Sequence, residues 1–497
     1  MAAMKCGQVK SVELDDVLSR FSVFGHYHLV TSLLLFFASV SNSIYSANYI
    51  FVAEEVKSRC IDDEFGNITC KMRCTQWVYE NPNSFVGEFQ LACQEWKRTL
   101  VGTAHSFGYM CGLLIVGPMS DRLGRKMVVV ITGVSGCLLG LAKSFSTWYW
   151  MYIALEFLES AIGDICSPMY MLAIEMVSTR KRAPFCMLWG FGYPLGGVLF
   201  ALAAWAVPYW RNLLRLIYTP AILFIAYLYV LDESPRWLLT KGKNEIAATI
   251  LEKAAEKNKM KLEKDELNRL SYEKDVNVEL MALLKDTFAS RSMLMRFLVC
   301  LVWWITATFV NYGLTINSVS LQGDKYINFA LVSIVDIPGS FIITYILMNF
   351  NRKMPLIYTF GVVAIFCLVQ PFMPNKFPWL SIILYMSSKM FASFFFTITY
   401  MFTSELFPTY TRNSMHALCS SIGRIGSIVA PQTPLLMKYW SGLPSILCSG
   451  LSLFAMMVTF LVPDTTANDS LPDTVKQAEA LGVKPPLPKD ADICSRL

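Results

Sequence analysis

The sequence predicts an all-α polytopic membrane protein of about twelve transmembrane helices in two halves of six, and three observations predict it. Apolar runs near twenty residues recur along the chain, the length that crosses roughly 30 Å of hydrocarbon at about 1.5 Å per residue. Hydrophobic residues make up 54% of the 497 and charged residues only 16%, with a mean hydropathy of +0.44; a soluble chain of this length would split into domains with alternating polar faces. A tight turn, Gly117-Pro-Met-Ser-Asp121-Arg122-Leu-Gly124-Arg125-Lys126, separates two of the runs. Its three basic residues hold it on the cytoplasmic side by the positive-inside rule.

Residues 1–26 are polar and basic (Lys5, Lys10, Arg20) and form a cytoplasmic N-terminus. The first apolar run is too long for a cleavable signal and lacks a small-residue cleavage site, so 27–52 is a retained transmembrane helix 1. Residues 53–96 make an extracellular loop with Cys60, Cys70, Cys74 and Cys93 and the acceptor Asn67-Ile-Thr69. The sequon needs glycosylation machinery outside the cytosol. Four cysteines in one loop, with the other ten scattered, predict two disulfides and leave three pairings open. A zinc site would use paired Cys-x2-Cys units and a nearby His, which this spacing lacks.

Helices 2–6 occupy 97–231, with apolar runs at about 101–119, 127–143, 148–173, 183–207 and 213–231. Loop charge alternates: Arg180-Lys-Arg182 falls on the side of Arg125 and Lys126, and Pro208-Tyr-Trp-Arg211 on the other. Residues 232–292 form a cytoplasmic linker, rich in Lys and Glu over 240–290. The beat of Ile246, Ile250, Leu251 and Ala254 predicts short helices lying on the membrane surface. Helices 7–12 occupy 293–462, with runs at about 293–319, 326–350, 355–372, 378–403, 414–436 and 443–462. The tail, 463–497, is cytoplasmic, rich in Pro and Asp, and predicted to be disordered. A second sequon at Asn468 stays unmodified there.

The halves repeat. Glu175-Met-Val-Ser-Thr-Arg-Lys-Arg182 follows the fourth run and Glu405-Leu-Phe-Pro-Thr-Tyr-Thr-Arg412 the tenth, each with Glu and Arg seven residues apart. The cationic turn recurs as Met348-Asn-Phe-Asn351-Arg352-Lys353, with Met348 at the place of Asp121 and Asn351 at that of Gly124. A carboxylate at 121 can meet both a neighbouring Arg and a helix N-terminus, so its loss predicts a weaker second latch.

The pattern Gly-x3-Asp-Arg-x-Gly-Arg-Lys resembles the loop between helices two and three of the major facilitator superfamily. Glu233-Ser-Pro-Arg236-Trp-Leu-Leu239, Val207-Pro-Tyr-Trp-Arg211, Glu405-Leu-Phe-Pro-Thr with Arg412-Asn413, and Cys74-x2-Trp77-x-Tyr79 resemble the organic cation, organic anion and carnitine transporters, solute carrier family 22. The likeness covers nearly the whole chain and is nearest to organic cation transporter-like members. It implies two six-helix bundles that rock around a midplane site under an extracellular cap. It also implies a cytoplasmic gate of Asp121, Arg122, Arg125, Glu175, Arg182, Glu233, Arg236, Glu405 and Arg412. Two positions depart from the pattern: Glu156 stands where many facilitators carry an Arg, and His28 where the usual residue is Gln.

Ionisable side chains inside spans cost roughly 2.5–3.5 kcal/mol each. Five stand out: Glu156, Glu159, Asp336, Lys389 and Arg424. Glu156 and Glu159 share a helix face and make a negative patch if both point at the cavity. For Asp336 and Lys389, pairing across the bundle is an equal reading. Arg424 lies in Gly423-Arg-Ile-Gly426, where the resemblance places a residue that helps set charge preference: Arg in anion and carnitine transporters, an acid in several cation transporters. Tyr193, Trp303, Trp304, Tyr312, Phe396 and Tyr400 match cavity-lining positions of that family, and flat rings hold organic cations; packing against a neighbouring helix explains any one of them equally well. The glycines of 190–197 follow no strand and lie in an apolar run, so they permit close helix contact and a bend at Pro194 rather than nucleotide binding.

Four His in no metal-ligand spacing, no Gly-x-Ser-x-Gly turn and no phosphate loop point away from an enzyme, a metal or cofactor, and a nucleotide-driven pump. The net charge of +6 sits in loops, as topology signals and lipid contacts rather than a nucleic-acid surface. Gradients must then drive transport. For a monovalent cation, 100 mV inside-negative supplies about 2.3 kcal/mol, roughly fifty-fold accumulation. The expectation is an alternating-access secondary transporter of small organic cations or zwitterions, amine- or carnitine-like, in the plasma membrane, working as a monomer with both termini cytoplasmic. An organic anion exchanger of the same family is the first alternative, weakened because Ser340 stands where the resemblance to anion transporters puts a Lys. A non-transporting receptor of the same fold is the second.

Overall fold

The computed structural model describes residues 12–60, 76–260, 262, 270–271, 288–374, 378–408 and 411–464. Among them, ten helices are long and apolar enough to cross a membrane: α1 His26–Val52, α2 Glu95–Leu123, α3 Arg125–Lys143, α4 Tyr149–Glu175, α5 Pro184–Ala206, α6 Trp210–Val230, α7 Arg291–Ser320, α8 Lys325–Asn349, α9 Lys353–Phe372 and α10 Pro378–Glu405. Two more, α11 Arg412–Val429 and α12 Leu443–Thr459, stand where the eleventh and twelfth apolar runs fall. Arg412, His416 and Arg424 make α11 too polar to count by composition alone.

Several helices differ from simple apolar rods for local reasons. α2 starts six residues before its apolar run, at Glu95, and stops at Gly124, whose φ of 102° is left-handed and suits a glycine. α4 breaks between Ile162 and Cys166. There a Cβ on Gly163 would lie 2.9 Å from the Gly136 Cα of α3, so two glycines let the backbones of α3 and α4 touch. α6 tightens into a 3₁₀ stretch, Thr219–Ala226, at Pro220. α8 opens on Asp324, whose carboxylate accepts the N–H of Tyr326 at 2.8 Å and of Ile327 at 3.0 Å.

By contacts the chain divides into two compact units. The first holds Met1–Val276, Tyr312–Ile337 and Ser427–Ser441; the second holds Asn277–Asn311, Pro338–Gly426 and Gly442–Leu497. This cut differs from a division at the linker. In the first unit Lys325 pairs with Glu54 at 2.5 Å, and Gln432 accepts from the Thr99 hydroxyl at 2.9 Å and donates to that of Thr103 at 2.6 Å. Such bonds draw pieces of α8 and of the stretch after α11 onto α1 and α2. In the second unit α9 packs against α10 and α12, with Phe360 and Phe395 stacked at 4.6 Å.

The linker supplies two short helices, Pro235–Thr240 and Asn244–Lys257. Ile250, Leu251 and Ala254 are buried beside Leu18, Phe21 and Met176, while Ile246 is half exposed at 51%. This apolar face therefore packs on protein rather than lying on lipid, and Ile246 is not part of it. Cys60 and Cys93 are each disulfide-bonded; Cys70, Cys74 and Asn67 lie outside the described residues.

Candidate functional site

The site's geometry starts at the turn between α2 and α3. Arg125 donates from Nη1 to Asp121 at 2.7 Å and from Nη2 and Nε to Glu175 at 3.1 and 3.2 Å, a fork that joins the foot of α3 to that of α4. Glu233 closes the same corner. Its Oε1 accepts the backbone N–H of Arg125 at 2.9 Å, of Lys126 at 3.1 Å and of Ser234 at 2.9 Å. These include donors that the first turn of α3 would otherwise leave unpaired. A side chain at Gly124 would collide with that carboxylate. Trp237 Nε1 donates to the Asp121 carbonyl at 3.0 Å.

Two other expected gate residues of this unit have separate partners. Arg236 pairs with Asp15 at 2.6 Å, and Arg182 donates to the Ile174 carbonyl at 3.2 Å. Arg122 is exposed. Partial burial works to raise the Asp15 carboxyl, but the Thr179 N–H and the Arg236 guanidinium outweigh it and hold the group below the usual carboxylate range. All these pairs tie one half of the sequence to itself.

The second half repeats the latch more faithfully than its sequence suggests. Arg352 Nε donates to Glu405 at 3.1 Å and Nη1 to the Leu347 carbonyl. Asp464, after α12, accepts the Lys353 N–H at 3.2 Å as Glu233 does after α6. Arg352 was absent from the expected gate; the Arg-Lys dipeptide of the decayed repeat was its signal. What is lost is the Asp121 contact, for Met348 is 76% exposed. Arg412 is half-buried at the start of α11.

Inside the first unit lies a buried charge cluster. Lys143 Nζ donates to Glu156 Oε2 at 2.9 Å, to Glu159 Oε2 at 3.3 Å and to the Tyr218 hydroxyl at 3.1 Å. His105 Nδ1 lies 2.9 Å from Glu156 Oε1, and Asn48 Nδ2 donates to the same oxygen at 3.3 Å. The two carboxylates do share a face, but they are 0% and 2% exposed and turn to Lys143, which corrects the picture of an open negative patch. Lys143 and His105 were missed: a Lys at the end of an apolar run reads as a topology signal, and a lone His carries none. The donors of His105, Glu156 and Glu159 come within 4.8 Å of one another, and the Lys143 ammonium sits against both carboxylates. The arrangement is a buried ion-pair cluster.

The remaining candidates fall into two groups. In the first unit, Tyr193 is 41% exposed with its hydroxyl 3.3 Å from that of Ser46, and Tyr312 and Asp336 are half-buried. In the second, the buried Trp304 donates to the Thr403 hydroxyl at 3.1 Å and has Phe396, Tyr400 and His416 rings at 5.9, 5.8 and 5.3 Å. His416 was not anticipated; it meets Tyr400 edge-on at 4.3 Å. Trp303 donates to Thr459 at 2.9 Å and packs on Phe402, as a core residue does. Lys389 donates to Asn311 at 2.7 Å, and Arg424 is half-buried.

Duplicated six-helix halves, each closed by an Arg–Glu latch and an acid after its last helix, define a membrane transporter of the major facilitator fold. The Sugar (and other) transporter family matches residues 35–472. Solute carrier family 22 member 1 of Bos taurus is 31% identical over 413 residues, 82% of this chain and 73% of the relative. The organic cation transporter protein of Drosophila melanogaster is 31% identical over 427 residues, 83% and 77% of the two chains. The chain belongs to the Sugar (and other) transporter family and, within it, to solute carrier family 22. The inward open conformation of the xylose transporter XylE from E. coli shares the fold, at TM-score 0.63 and 15% identity over 91% of this chain and 99% of that one.

Proposed function

We propose that this transporter moves small organic cations or zwitterions, amine- or carnitine-like, through the plasma membrane by alternating access, as a monomer and without enzymatic chemistry. The aromatic group of Trp304, Phe396 and Tyr400 carries the reading. Tyr400 is 43% exposed, and ring faces attract an ammonium by about 0.5–2 kcal/mol each. The printed name of the Drosophila relative, an organic cation transporter, supports it. Lys389 and Arg424 are the proposed partners of a solute carboxylate, and Tyr193, Tyr312 and Asp336 are further proposed solute-contacting residues. Glu156 and Glu159 act from within their cluster.

The topology assigned from loop charge is part of the proposal: residues 1–26, 232–292 and 463–497 cytoplasmic, 53–96 extracellular with two disulfides among Cys60, Cys70, Cys74 and Cys93, and a glycan on Asn67. The test is uptake of tetraethylammonium and of carnitine into vesicles holding the purified protein. Uptake of either supports the reading. Binding without uptake would make the chain a receptor, and uptake confined to a carboxylate without an amine would make it an anion exchanger.

A further inference from the structure

The N-terminal helix and the turn after α4 hold each other in place. Leu14–Arg20 spans seven residues, too few to stay helical alone in water, so docking is what orders it. Leu14, Val17, Leu18 and Phe21 are 0–3% exposed. Leu18 and Phe21 line one small apolar cavity with Met176 and with Pro235, Ile250 and Leu251 of the linker helices. Both flanks are tied as well. Val12 and Glu13 pair in parallel with Leu270 and Ser271, and the Tyr27 N–H donates to Asn258 Oδ1 at 3.0 Å.

The polar contacts run both ways. The 3₁₀ stretch Thr179–Lys181 starts without a side-chain cap from Ser178, and the Asp15 carboxylate supplies one, accepting the Thr179 N–H at 3.1 Å and its hydroxyl at 3.3 Å. Lys181 Nζ in return donates to the carbonyls of Ser19 at 2.7 Å and Phe21 at 2.6 Å, at the negative end of the N-terminal helix. Arg236 joins the linker to both, donating from Nη2 to Asp15 at 2.6 Å and to the Val177 carbonyl at 3.3 Å. Its side chain is only 13% exposed, so without Asp15 its charge would seek another carboxylate. Glu175 stands two residues before the Val177 that it already touches.

We propose that the N-terminal helix is a strap that builds the first unit's latch, with Asp15 as a positioning residue that keeps Arg236 off Glu175. Glu175 is then left to Arg125, and the foot of α4 stays joined to that of α3. Asp15 acts through Arg236 and not on the solute, so its loss falls on the rate of the cycle and spares solute binding. The strap's part in transport rests on the transporter reading above; its part in the latch does not.

The test measures the purified full chain, in detergent without solute and in vesicles with tetraethylammonium. Asp15→Asn keeps the side chain's size and one acceptor oxygen but removes its charge. In hydrogen exchange it should expose the amides of residues 14–21 and 176–181, and also those at the foot of α3, where Arg125 loses Glu175. Adding Arg236→Gln should return protection to α3 alone. Protection at α3 that stays lost overturns the competition for Glu175. Exchange confined to 14–21 overturns the positioning role, and exchange equal to wild type overturns the strap. In vesicles Asp15→Asn should lower maximal uptake about tenfold, the rate equivalent of one charge-assisted hydrogen bond, at an unchanged half-saturating concentration. Adding Arg236→Gln should recover most of that loss, which a merely misfolded variant would not do. Asp15→Asn uptake equal to wild type overturns the strap's part in transport. A wild type that takes up no tetraethylammonium, with the exchange pattern intact, overturns the cation reading and leaves the strap standing.

Discussion

Lys143 Nζ donates to Glu156 Oε2 at 2.9 Å with neither side chain exposed. Removing one member of such a pair strands the other charge, which costs about 3–5 kcal/mol, whereas replacing both by apolar residues of similar size is close to neutral. Lys143→Met should therefore lower the thermal midpoint of the detergent-purified protein strongly. Lys143→Met with Glu156→Met should recover part of the loss, because Glu159 still lacks its ammonium. Equal loss in the single and double variants would show that Glu156 is not the partner that matters.

Glu233 takes three backbone N–H groups on one oxygen, two of them at the start of α3. Glu233→Ala should cost about 1–3 kcal/mol by leaving those donors unpaired. Glu233→Gln keeps an acceptor oxygen and should cost less. Ranking the two by thermal unfolding checks this, and an alanine variant as stable as wild type refutes it.

Asp121 and Glu175 both meet Arg125, but their side chains are 72% and 13% exposed. An exposed pair contributes about 0–1 kcal/mol, so Asp121→Asn should fold normally. If the latch must open and close in each cycle, the same variant should reduce turnover much more than apparent affinity. Glu175→Gln should lose stability as well. Uptake rates normalised to surface abundance separate the two, and an Asp121→Asn enzyme-like kinetic profile equal to wild type would remove the latch from the cycle.

Arg424 carries the proposed choice between zwitterion and cation. Arg424→Asp removes a guanidinium able to grip a carboxylate with two bonds and reverses the local sign. Carnitine uptake should fall to background while tetraethylammonium uptake holds or rises. Unchanged carnitine uptake at normal surface levels would place Arg424 in a structural role.

Run length, loop charge and the Glu-to-Arg repeat were legible in the sequence because each is a property of the chain taken in one dimension. A helix must be about twenty residues to cross a bilayer, a basic loop stays inside, and a duplicated segment keeps its offsets. Those properties marked Arg125, Glu175 and Glu405 before any coordinates, and the family resemblance marked Glu233. They also marked Glu156 and Glu159 as exceptional, since a charge inside a span needs a cause.

Tertiary structure decided what those charges do. Lys143 is thirteen residues from Glu156 along the chain and His105 fifty-one. Only the approach of α3 to α4, with Gly136 against Gly163, and the packing of α2 and α6 beside them bring the ammonium, imidazole and Tyr218 to the two carboxylates. Arg352 likewise counted as half of a decayed motif until the foot of α9 met Glu405. Which face of a helix turns inward depends on its neighbours, so composition could show that a buried charge needed a partner, and only packing could choose the partner.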